Sequence, residues 1–559
     1  MTPQFYFKLS TFYFLQIFDL KKLLFILTSL LFIQTVSAQT LSSSNLPILV
    51  VYTNGQGIPN EPRIRAQLGI IYNGEGVRNG INDPRNYFTG LVGIEVRGQS
   101  SQEFPMKSYD LELWNADSSE NEVPLFDFPK ESDYVLYAPY TDKTLMRNFL
   151  AYTVTRELGR WAARCRYVEL VVDNDYKGIY VFMEKIKRDS SRVNIAKLGP
   201  NENSGDALTG GYIFSIDKGA NGWHSGVAPI QSVNGQRIQF NHVYPKLDSI
   251  TLPQRNYLKS YVDSFEQALS GVNFQHPQSG WRRHANEASF IDYLIVNELA
   301  KNVDGYRLST YLYKDKQSRG GKLVAGPAWD YDLAFYNANY CRGSDTVGWA
   351  WQFNGTCPGD FYQVPFWWNQ FQSDTSFQTN FRCRWKQLRS TSLSDARINS
   401  LIDSVVYLTQ EARTRHFQRW PILGQYIWPN VQPVPSNYAG EIQQLRNWFA
   451  GRIAWIDRNL PNRGICYEFP NTTTNDLIVT AYPNPFREQL KLSLKSRKIQ
   501  SVEIVITDAT GRLMLQKKLY LNYGENLPSI ESGRWNSGIY FLRILKEDGG
   551  SEVLRVVKL

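Results

Sequence analysis

Two short stretches decide the fold: NVDGYRLS at residues 302–309 and GPAWDYD at residues 326–332. Asp304 stands at the end of an apolar stretch, Glu287 to Val303, whose spacing predicts a helix. A strand-like run, Thr310 to Lys314, comes next, and then Asp330 and Asp332 flank one tyrosine. A helix, a strand and acid-bearing turns in this order indicate a domain of the α+β class.

The separation of these acids also bears on function. Kinases place a proton-accepting Asp and a magnesium-holding Asp at a comparable separation along the chain. Acidic residues are common near turns, however, and short motifs often match by accident. The spacing alone is therefore a weak indication, and other motifs must support it.

Composition limits the kind of protein this is. At 559 residues the chain has room for two or three domains, and 42% apolar content supports real cores. The net charge of +9 is spread along the chain, without a Lys/Arg block of the kind that marks a nucleic-acid-binding arm, so nucleic acid is not an expected partner. Aromatic residues reach 14%, which is common in carbohydrate-facing and secreted proteins, although core packing is the interpretation we favour.

Residues 1–38 are predicted to be a signal peptide. Lys21 and Lys22 precede an apolar run, Leu23 to Val36, and small residues lead to a cleavage site after Ala38. The run is too short for a comfortable membrane span, and no other stretch is apolar enough to cross a bilayer. The mature chain is therefore expected to contain no transmembrane segment.

Five cysteines follow the predicted signal peptide. Their spacing fits no zinc motif, and none is paired as CxxC. In an exported protein, Cys341 and Cys357 could close a disulfide around the Trp-rich loop after the acidic motif, although sequence does not fix connectivity. One cysteine must stay unpaired within the chain.

Residues 45–466 are predicted to form one large α+β body, in which strands alternate with a helix at first and helices dominate later. The predicted strands are Leu46 to Thr53, Ala66 to Tyr72, Gly90 to Arg97, Tyr134 to Ala138, Tyr167 to Val172 and Lys177 to Glu184. The predicted helices are Lys143 to Leu158, Gln254 to Leu269, Glu287 to Val303, and others within Ser392 to Leu460.

The composition changes near Pro470 to Asn475, within a predicted linker at residues 467–476. Residues 477–559 beyond it contain short alternating strands separated by turn residues, which predicts a small all-β, immunoglobulin-like sandwich. The predicted strands are Leu477 to Ala481, Gln489 to Leu494, Ser501 to Ile506, Ile539 to Leu545 and Glu552 to Val557.

Two motifs in the first part of the body carry charged residues. The run RGQSS at residues 97–101 ends a strand, where backbone amides and Arg97 could meet a phosphate. Lys107 begins another strand and could pair with phosphate oxygens; a tight turn with a solvated lysine is the alternative. Glu184 ends an apolar run, where an unpaired carboxylate is costly to bury, so it needs a cation, and Lys107 is a candidate.

Together and in this order, the motifs resemble one family, the CotH-type kinases, named for spore-coat protein H. The resemblance covers roughly residues 45–460. It rests on IEVRGQS at residues 94–100 with KSY at 107–109, KTLMRN at 143–148, GIY at 178–180 with Glu184, and WDYD at 329–332. The family has an atypical protein-kinase-like fold and transfers phosphate from ATP to hydroxyls of protein substrates. The resemblance therefore implies this fold, with ATP and Mg²⁺ as cofactors.

The resemblance also implies roles for individual residues. Lys107 and Glu184 look like the ion pair that orients ATP, with Arg97 near the phosphates. Asp304 looks like the catalytic base that takes the proton from the acceptor hydroxyl. Asp330 looks like the acid that holds magnesium.

Further metal ligands are implied less directly. Asp332 could assist Asp330, and Ser309 stands where a second ligand, often Asn, is expected, although a hydroxyl is a poorer ligand than an amide carbonyl. No Gly-rich loop of the usual kinase spacing is visible, so residues 97–101 would have to serve.

A protein of another class remains open: a catalytically silent cell-surface scaffold that binds glycans or proteins. An aromatic cluster after the acidic motif could form a stacking platform for sugars or could belong to the core, and we favour the core. The cluster comprises Trp349, Trp351, Tyr362, Phe366, Trp367 and Trp368.

The C-terminal region resembles the sorting domains of type IX secretion substrates. AYPNPF at residues 481–486 begins it, and GIYFL at 538–542 and VKL at 557–559 close it. The resemblance implies the type IX machinery as a partner, and a protein that is secreted or held at the outer cell surface. A generic adhesion module is the alternative.

Overall fold

The computed structural model describes residues 41–231, 235–276, 278–462, 466, 477–496, 500–521, 524–533, 535–546 and 550–559. The predicted signal peptide and the predicted linker at residues 467–476 lie outside these ranges. In the part of the chain that is described, no helix is both long and apolar enough to cross a membrane.

The body combines strands and helices, as the sequence predicts. Its strands are β1 Ser43–Ser44, β2 Ile48–Tyr52, β3 Ile64–Ile71, β4 Asn79–Gly80, β5 Phe88–Arg97, β6 Ser108–Trp114, β7 Asp133–Tyr137, β8 Cys165–Val172, β9 Asp175–Glu184, β10 Tyr212–Ile216, β11 Gly222–His224, β12 Gln239–Tyr244, β13 Thr310–Lys314 and β14 Leu323–Ala325. Its helices are α1 Arg147–Glu157, α2 Gly205–Leu208, α3 Leu252–Ser270, α4 Glu287–Ala300, α5 Phe353–Thr356, α6 Phe366–Phe371, α7 Thr375–Arg389, α8 Asp395–Leu408, α9 Ala412–Arg419 and α10 Tyr438–Asn459.

Seven of these strands close into a barrel in the order β2-β3-β5-β6-β7-β9-β8. Neighbouring strands run antiparallel, except that β2 and β8 are parallel. Because successive side chains of a strand point to opposite faces, alternate residues fill the interior. On β6 these are Tyr109, Leu111 and Leu113, which share one apolar core with Val168 and Phe182.

A second antiparallel sheet has the order β11-β12-β10-β13-β14. Its strand β13 is the predicted strand that follows Asp304. Strand β10 beside it was not predicted from the sequence, and Asp217 and Lys218 come directly after its end. The sheet thus brings a third acid-bearing turn next to the acidic motif.

Helix α4 fixes the start of that motif. The side chain of Asn286 caps its first turn by accepting from the Ser289 amide, and almost every residue of the helix is buried, which is typical of a central helix. The helix ends where Lys301 adopts a left-handed conformation, with φ of 42°. Asp304 therefore lies in a tight turn directly after a rigid, buried helix.

The aromatic cluster belongs mainly to the core. Trp367 and Trp368 are 1% and 2% exposed, and their rings contact Phe290 and Tyr306 of the body. Trp349 is partly buried and packs against this core as well. The favoured interpretation of the cluster, core packing rather than a sugar platform, agrees with this burial.

The C-terminal region is all β and has two four-stranded antiparallel sheets. The first has β15 Leu477–Tyr482, β16 Gln489–Ser496, β19 Gly524–Asn526 and β20 Ser529–Glu531; the second has β17 Gln500–Asp508, β18 Leu513–Leu521, β21 Gly538–Lys546 and β22 Ser551–Lys558. Residues of both sheets, among them Leu490, Ile504 and Leu542, share one core. A mixed body followed by an all-β region is confirmed, whereas the kinase-like and immunoglobulin-like folds stay predictions.

Four of the five cysteines are paired. Cys341 and Cys357 form a disulfide with Cα atoms 5.6 Å apart, which is the pairing that the sequence suggested. Cys383 and Cys466 form a second disulfide, with Cα atoms 5.2 Å apart, that the sequence did not indicate. Cys165 is the free cysteine, and burial raises the pKa of its thiol to about 12.

We expect Cys165 to be almost inert in the folded chain. A pKa of about 12 instead of the ordinary value of roughly 8.5 lowers its thiolate fraction at neutral pH by about three orders of magnitude. Titration with a chromogenic disulfide reagent, without reductant, should give no rapid reaction in buffer and one thiol per chain in denaturant. A rapid native reaction, or three thiols in denaturant, would contradict the burial or the pairing.

Candidate active site

A deep cleft opens between the barrel and the second sheet, with about 1210 Å³ of empty space, part of it open to solvent. Its walls come from the loop after β5, from β7 and β9, from helix α1, and from the turn after β10. The two acidic stretches line the same cleft with residues 304–311 and 329–333. The structure therefore brings together three of the acidic site residues that the sequence predicts, Asp304, Asp330 and Asp332, whereas Glu184 does not line this cleft.

Asp304 is held from two sides. Its backbone N–H donates to Asn302 Oδ1 at 3.1 Å, and its Oδ1 accepts from Arg307 Nη2 at 2.9 Å. The Asn302 amide also donates to the backbone carbonyl of Asp330 at 3.3 Å. A single asparagine thus ties the two acidic turns together, so that Asp304 and Asp330 keep a fixed separation.

Asp330 is positioned by helix α1. Its N–H donates to Tyr152 Oη at 3.1 Å, and the next N–H, of Tyr331, donates to Asn148 Oδ1 at 2.6 Å. The backbone of Asp330 is left-handed, with φ of 64°, which non-glycine residues rarely adopt without such contacts. The stretch KTLMRN therefore serves the site through its last residue, Asn148, which anchors the acidic turn.

Asp217 is a site residue that the sequence analysis missed. It follows β10 and lines the cleft. The Ser309 hydroxyl lies between two acids, 3.2 Å from Asp330 Oδ2 and 3.5 Å from Asp217 Oδ2. The signal for β10 was present, because an apolar run at residues 212–216 is bounded by glycines at 210–211 and 219.

The cleft contains four carboxyl groups whose pKa values are raised. Partial removal from water inside the cleft raises the pKa of Asp304, Asp330, Asp332 and Asp217 above the usual Asp value, although Asp330 is exposed and the other three are only half-buried. Each pKa is raised further by the negative charge of one or more of the other three carboxylates. Carboxylates placed this close repel one another unless a cation or a proton joins them. The site is thus suited to accept positive charge.

Two basic side chains line the same cleft. Arg97 Nη1 pairs with Asp110 Oδ1 at 3.0 Å, and its guanidinium carbon lies 5.5 Å from the centroid of the Trp329 ring. The ammonium of Lys218 lies 5.9 Å from the Tyr362 ring centroid. Both cations lower the pKa of Asp330, so they sit within its field. They are the groups that could neutralise a bound phosphate.

The predicted ion pair between Lys107 and Glu184 is wrong. The Lys107 ammonium donates to the backbone carbonyls of Gln102 at 2.5 Å and Phe104 at 2.7 Å, and these two bonds hold the loop after β5 in place. Glu184 is buried and accepts from Arg164, through Nη1 at 2.7 Å and the backbone N–H at 2.8 Å. Each residue thus satisfies its charge without the other.

Strand register explains this error. Lys107 and Glu184 both have the parity of side chains that fill the barrel, such as Tyr109 on β6 and Phe182 on β9. Pairing through β7, however, places Glu184 level with Leu111 and not with Lys107. Ser108 has the opposite parity to Lys107 and lines the cleft. The residue next to Glu184, Lys185, has the opposite parity, and its ammonium pairs with Asp110 Oδ2 at 2.6 Å. The acid that anchors the cationic side of the cleft is therefore Asp110.

The oxygen donors of the cleft fit a hard divalent cation. Asp330, Asp217 and Ser309 provide carboxylate and hydroxyl oxygens, which are the ligands that Mg²⁺ prefers, and Ser309 lies between the two acids. No group of three or more His, Cys, Asp or Glu side chains within the described ranges is arranged to bind a metal ion as it stands. The donor set fits Mg²⁺ by its chemistry, with Ser309 as part of it.

Arg307 is the buried support of the site. Its Nη1 donates to Asp360 Oδ1 at 3.1 Å, in addition to the bond from Nη2 to Asp304, and its guanidinium carbon lies 4.0 Å from the centroid of the Phe353 ring. Phe353 belongs to the segment that the disulfide Cys341–Cys357 closes. Sequence analysis did not single out Arg307, because a basic residue three positions after an acid is common in any turn.

Comparisons with known proteins agree with two of the sequence resemblances. Residues 94–456 match the family described as CotH kinase protein, and residues 480–558 match the secretion system C-terminal sorting domain. Comparison with curated proteins finds no match.

Two solved structures are similar to this chain over short segments. A dimeric latent PorU from Porphyromonas gingivalis is 22% identical over 14% of this chain and 9% of its own, with a TM-score of 0.13. A beta-glucosidase from Listeria innocua, in complex with glucose, is 12% identical over 15% of this chain and 16% of its own, with a TM-score of 0.12. This chain thus spans a small part of either protein.

Proposed function

Because the chain belongs to the CotH kinase protein family, we propose that it transfers phosphate from ATP to a hydroxyl group of an acceptor. The sorting domain at residues 480–558 directs the protein to the cell surface or outside through the type IX secretion system. The proposed enzyme therefore acts on an acceptor that it meets after export.

One observation carries this proposal: four aspartates from three separate turns, together with Arg97 and Lys218, meet in a single cleft. Phosphoryl transfer needs little covalent help from the protein, but it needs ATP held in position, charge neutralised and the attacking hydroxyl oriented. A cleft lined by acids, cations and apolar side chains has groups for each of these tasks.

We assign the two ends of the cleft from their chemistry. We place the flat base of the nucleotide against Val135 and Met183, apolar residues that pair across β7 and β9 and line the cleft. Arg97 and Lys218 would face the phosphates, whose oxygens match their N–H donors. The acids then lie where the terminal phosphate and the acceptor meet.

Asp330, with Asp217, Ser309 and Asp332, would hold Mg²⁺, which when bound neutralises charge on the phosphates. Asp304 would accept the proton of the acceptor hydroxyl. The hydroxyl oxygen forms a bond to the terminal phosphorus while the bond from that phosphorus to the bridging oxygen breaks, and ADP leaves with the electron pair. Arg307 would keep the Asp304 carboxylate aimed at the hydroxyl.

The proposal predicts phosphate incorporation that depends on magnesium. The purified chain, with radiolabelled ATP and casein or the protein itself as acceptor, should label the acceptor with Mg²⁺ and lose labelling with a chelator. Asp330→Asn should raise the Mg²⁺ concentration for half-maximal rate by about tenfold or more, because it removes a charged ligand.

Asp403→Asn is the matched control for that change, since its carboxylate is 69% exposed and pairs with Arg446 on helices α8 and α10. It should leave the Mg²⁺ requirement unchanged. Absence of both labelling and ATP binding by calorimetry would favour the silent surface scaffold instead.

A further inference from the structure

One member of a stacked aromatic pair, Trp428, lines the cleft. The rings of Tyr340 and Trp428 are stacked, with centroids 5.9 Å apart and planes 12° from parallel. Trp428 and Pro429 line the cleft, and Trp428 is 50% exposed. One face of a flat ring therefore stays open to the cleft, although large exposed aromatic side chains are costly to leave in water.

The pair is fixed to the acidic turns and is not a loose loop. The buried amide of Asn430 donates to the Thr141 carbonyl and to Asn337 Oδ1, both at 2.9 Å. Asn337 in turn donates to the Asp332 carbonyl at 2.7 Å. A further bond, from the backbone N–H of Asn339 to the Pro429 carbonyl at 3.0 Å, joins the two segments. The ring thus has a fixed position relative to the acids.

The pair lies next to the proposed base. Trp428 and Pro429 line the cleft together with Asp304, Leu308 and Asp332. A group stacked on Trp428 would therefore lie in the same cleft as the acids.

The hydrogen bonds in this part of the cleft suit an acceptor that carries neutral hydroxyl groups. The carboxylates of Asp304 and Asp360 already accept from Arg307. A hydroxyl can donate to their remaining lone pairs without adding a charge.

From this juxtaposition we propose that the acceptor is a saccharide, bound with one sugar ring on the open face of Trp428. Sugar rings present apolar C–H groups on one face and hydroxyl groups at the edge. The face would pack on the indole, and the edge hydroxyls would donate to the carboxylates in this part of the cleft, which are strong acceptors. The inference rests on the proposed phosphate transfer and names its acceptor class.

Binding and transfer are measured separately, so that the two ideas can fail independently. The full chain is titrated by calorimetry with maltohexaose, cellohexaose and mannohexaose, and each is then offered as acceptor with radiolabelled ATP. We expect at least one of them to bind and to take up label. Trp428→Ala should weaken its binding and raise its KM by about tenfold or more, since it removes the stacked surface.

Tyr407→Ala is the matched control, because Tyr407 is 81% exposed and lies on helix α8 outside the cleft lining. It should change binding and KM less than twofold. Absence of binding for all three sugars, or binding that Trp428→Ala does not weaken, would overturn the proposal. Casein labelling that Trp428→Ala weakens, without sugar binding, would assign the platform to peptides. Sugar binding without transfer to any acceptor would overturn the acceptor role and contradict the proposed phosphate transfer.

Discussion

Replacing Asp304 by Asn is expected to lower kcat by about 10²- to 10⁴-fold, the range that a general base contributes. The amide keeps the size of the side chain and the oxygen that accepts from Arg307 Nη2, but it cannot take the proton of the acceptor hydroxyl. The KM for ATP should change little, since Asp304 faces the acceptor end of the proposed site. Initial rates over a range of ATP concentrations check both statements.

The pH profile makes this expectation specific to a base. Burial raises the pKa of Asp304, so the rate should fall, as the pH falls, at a higher pH than the ordinary Asp value of roughly 3.9 would give. A carboxyl whose pKa is higher in the folded than in the unfolded state stabilises the fold at any pH below its unfolded pKa. This stabilisation is lost as the pH rises through the folded-state pKa. The ionised carboxylate is thus a cost at neutral pH, and Asp304→Asn should melt no lower than the native chain.

The control for Asp304 is the exposed Asp403, whose change to Asn should leave both the rate and the profile unaltered. A loss below about threefold for Asp304→Asn, small beside the contribution of a general base, would assign proton transfer to another group. A large loss accompanied by a lower melting temperature would instead indicate that Asp304 supports the fold through Arg307.

The sequence predicted much of the site because its acids follow strongly patterned elements. The apolar run before Asp304 and the strand after it fix where the turn lies, and the structure places Asp304, Asp330 and Asp332 in one cleft. Arg97 ends a strand, as predicted, and lines the cleft as well. Local patterns are enough when the functional residue comes directly after the element.

The rest depended on partners that are distant along the chain. The Lys107–Glu184 pairing failed because the register of β6, β7 and β9 places Glu184 level with Leu111 and not with Lys107, and motifs in the sequence do not indicate register. Asp217 was missed because a single unpredicted strand, β10, delivers it. The bridge between Cys383 and Cys466, which are 83 residues apart, leaves no local signal at all.

The largest effect on stability is expected at Glu298, which is completely buried on helix α4. Its carboxylate accepts from Tyr306 Oη at 2.9 Å, from Arg452 Nη2 at 3.1 Å, and from the N–H groups of Ala350 and Trp351 at 2.7 and 3.0 Å. Glu298→Ala would leave the buried Arg452 charge and two backbone donors without it. Breaking a buried ion pair from one side typically costs about 3–5 kcal/mol of unfolding free energy.

The partner change separates the pair from its surroundings. Burial raises the pKa of Glu298 and lowers that of Arg452 to about 10, which indicates that neither ion gains net stability from its position. Glu298→Leu combined with Arg452→Met should therefore lose less stability than either single change, because no unpaired charge remains. Urea unfolding followed by tryptophan fluorescence measures the three midpoints.

Lys259→Ala, which breaks an exposed pair with Asp263, is the surface control and should shift the midpoint by no more than about 0.5 kcal/mol. Additive losses in the double variant would show that the two charges act independently. The outcome matters for function, because Ala350 and Trp351 lie inside the disulfide loop whose Phe353 packs on Arg307. If Glu298 holds this loop, Glu298→Ala should also lower kcat, because Arg307 and with it Asp304 would be misplaced. The double variant, Glu298→Leu with Arg452→Met, restores packing without charge, and it should recover the free energy of unfolding more fully than kcat.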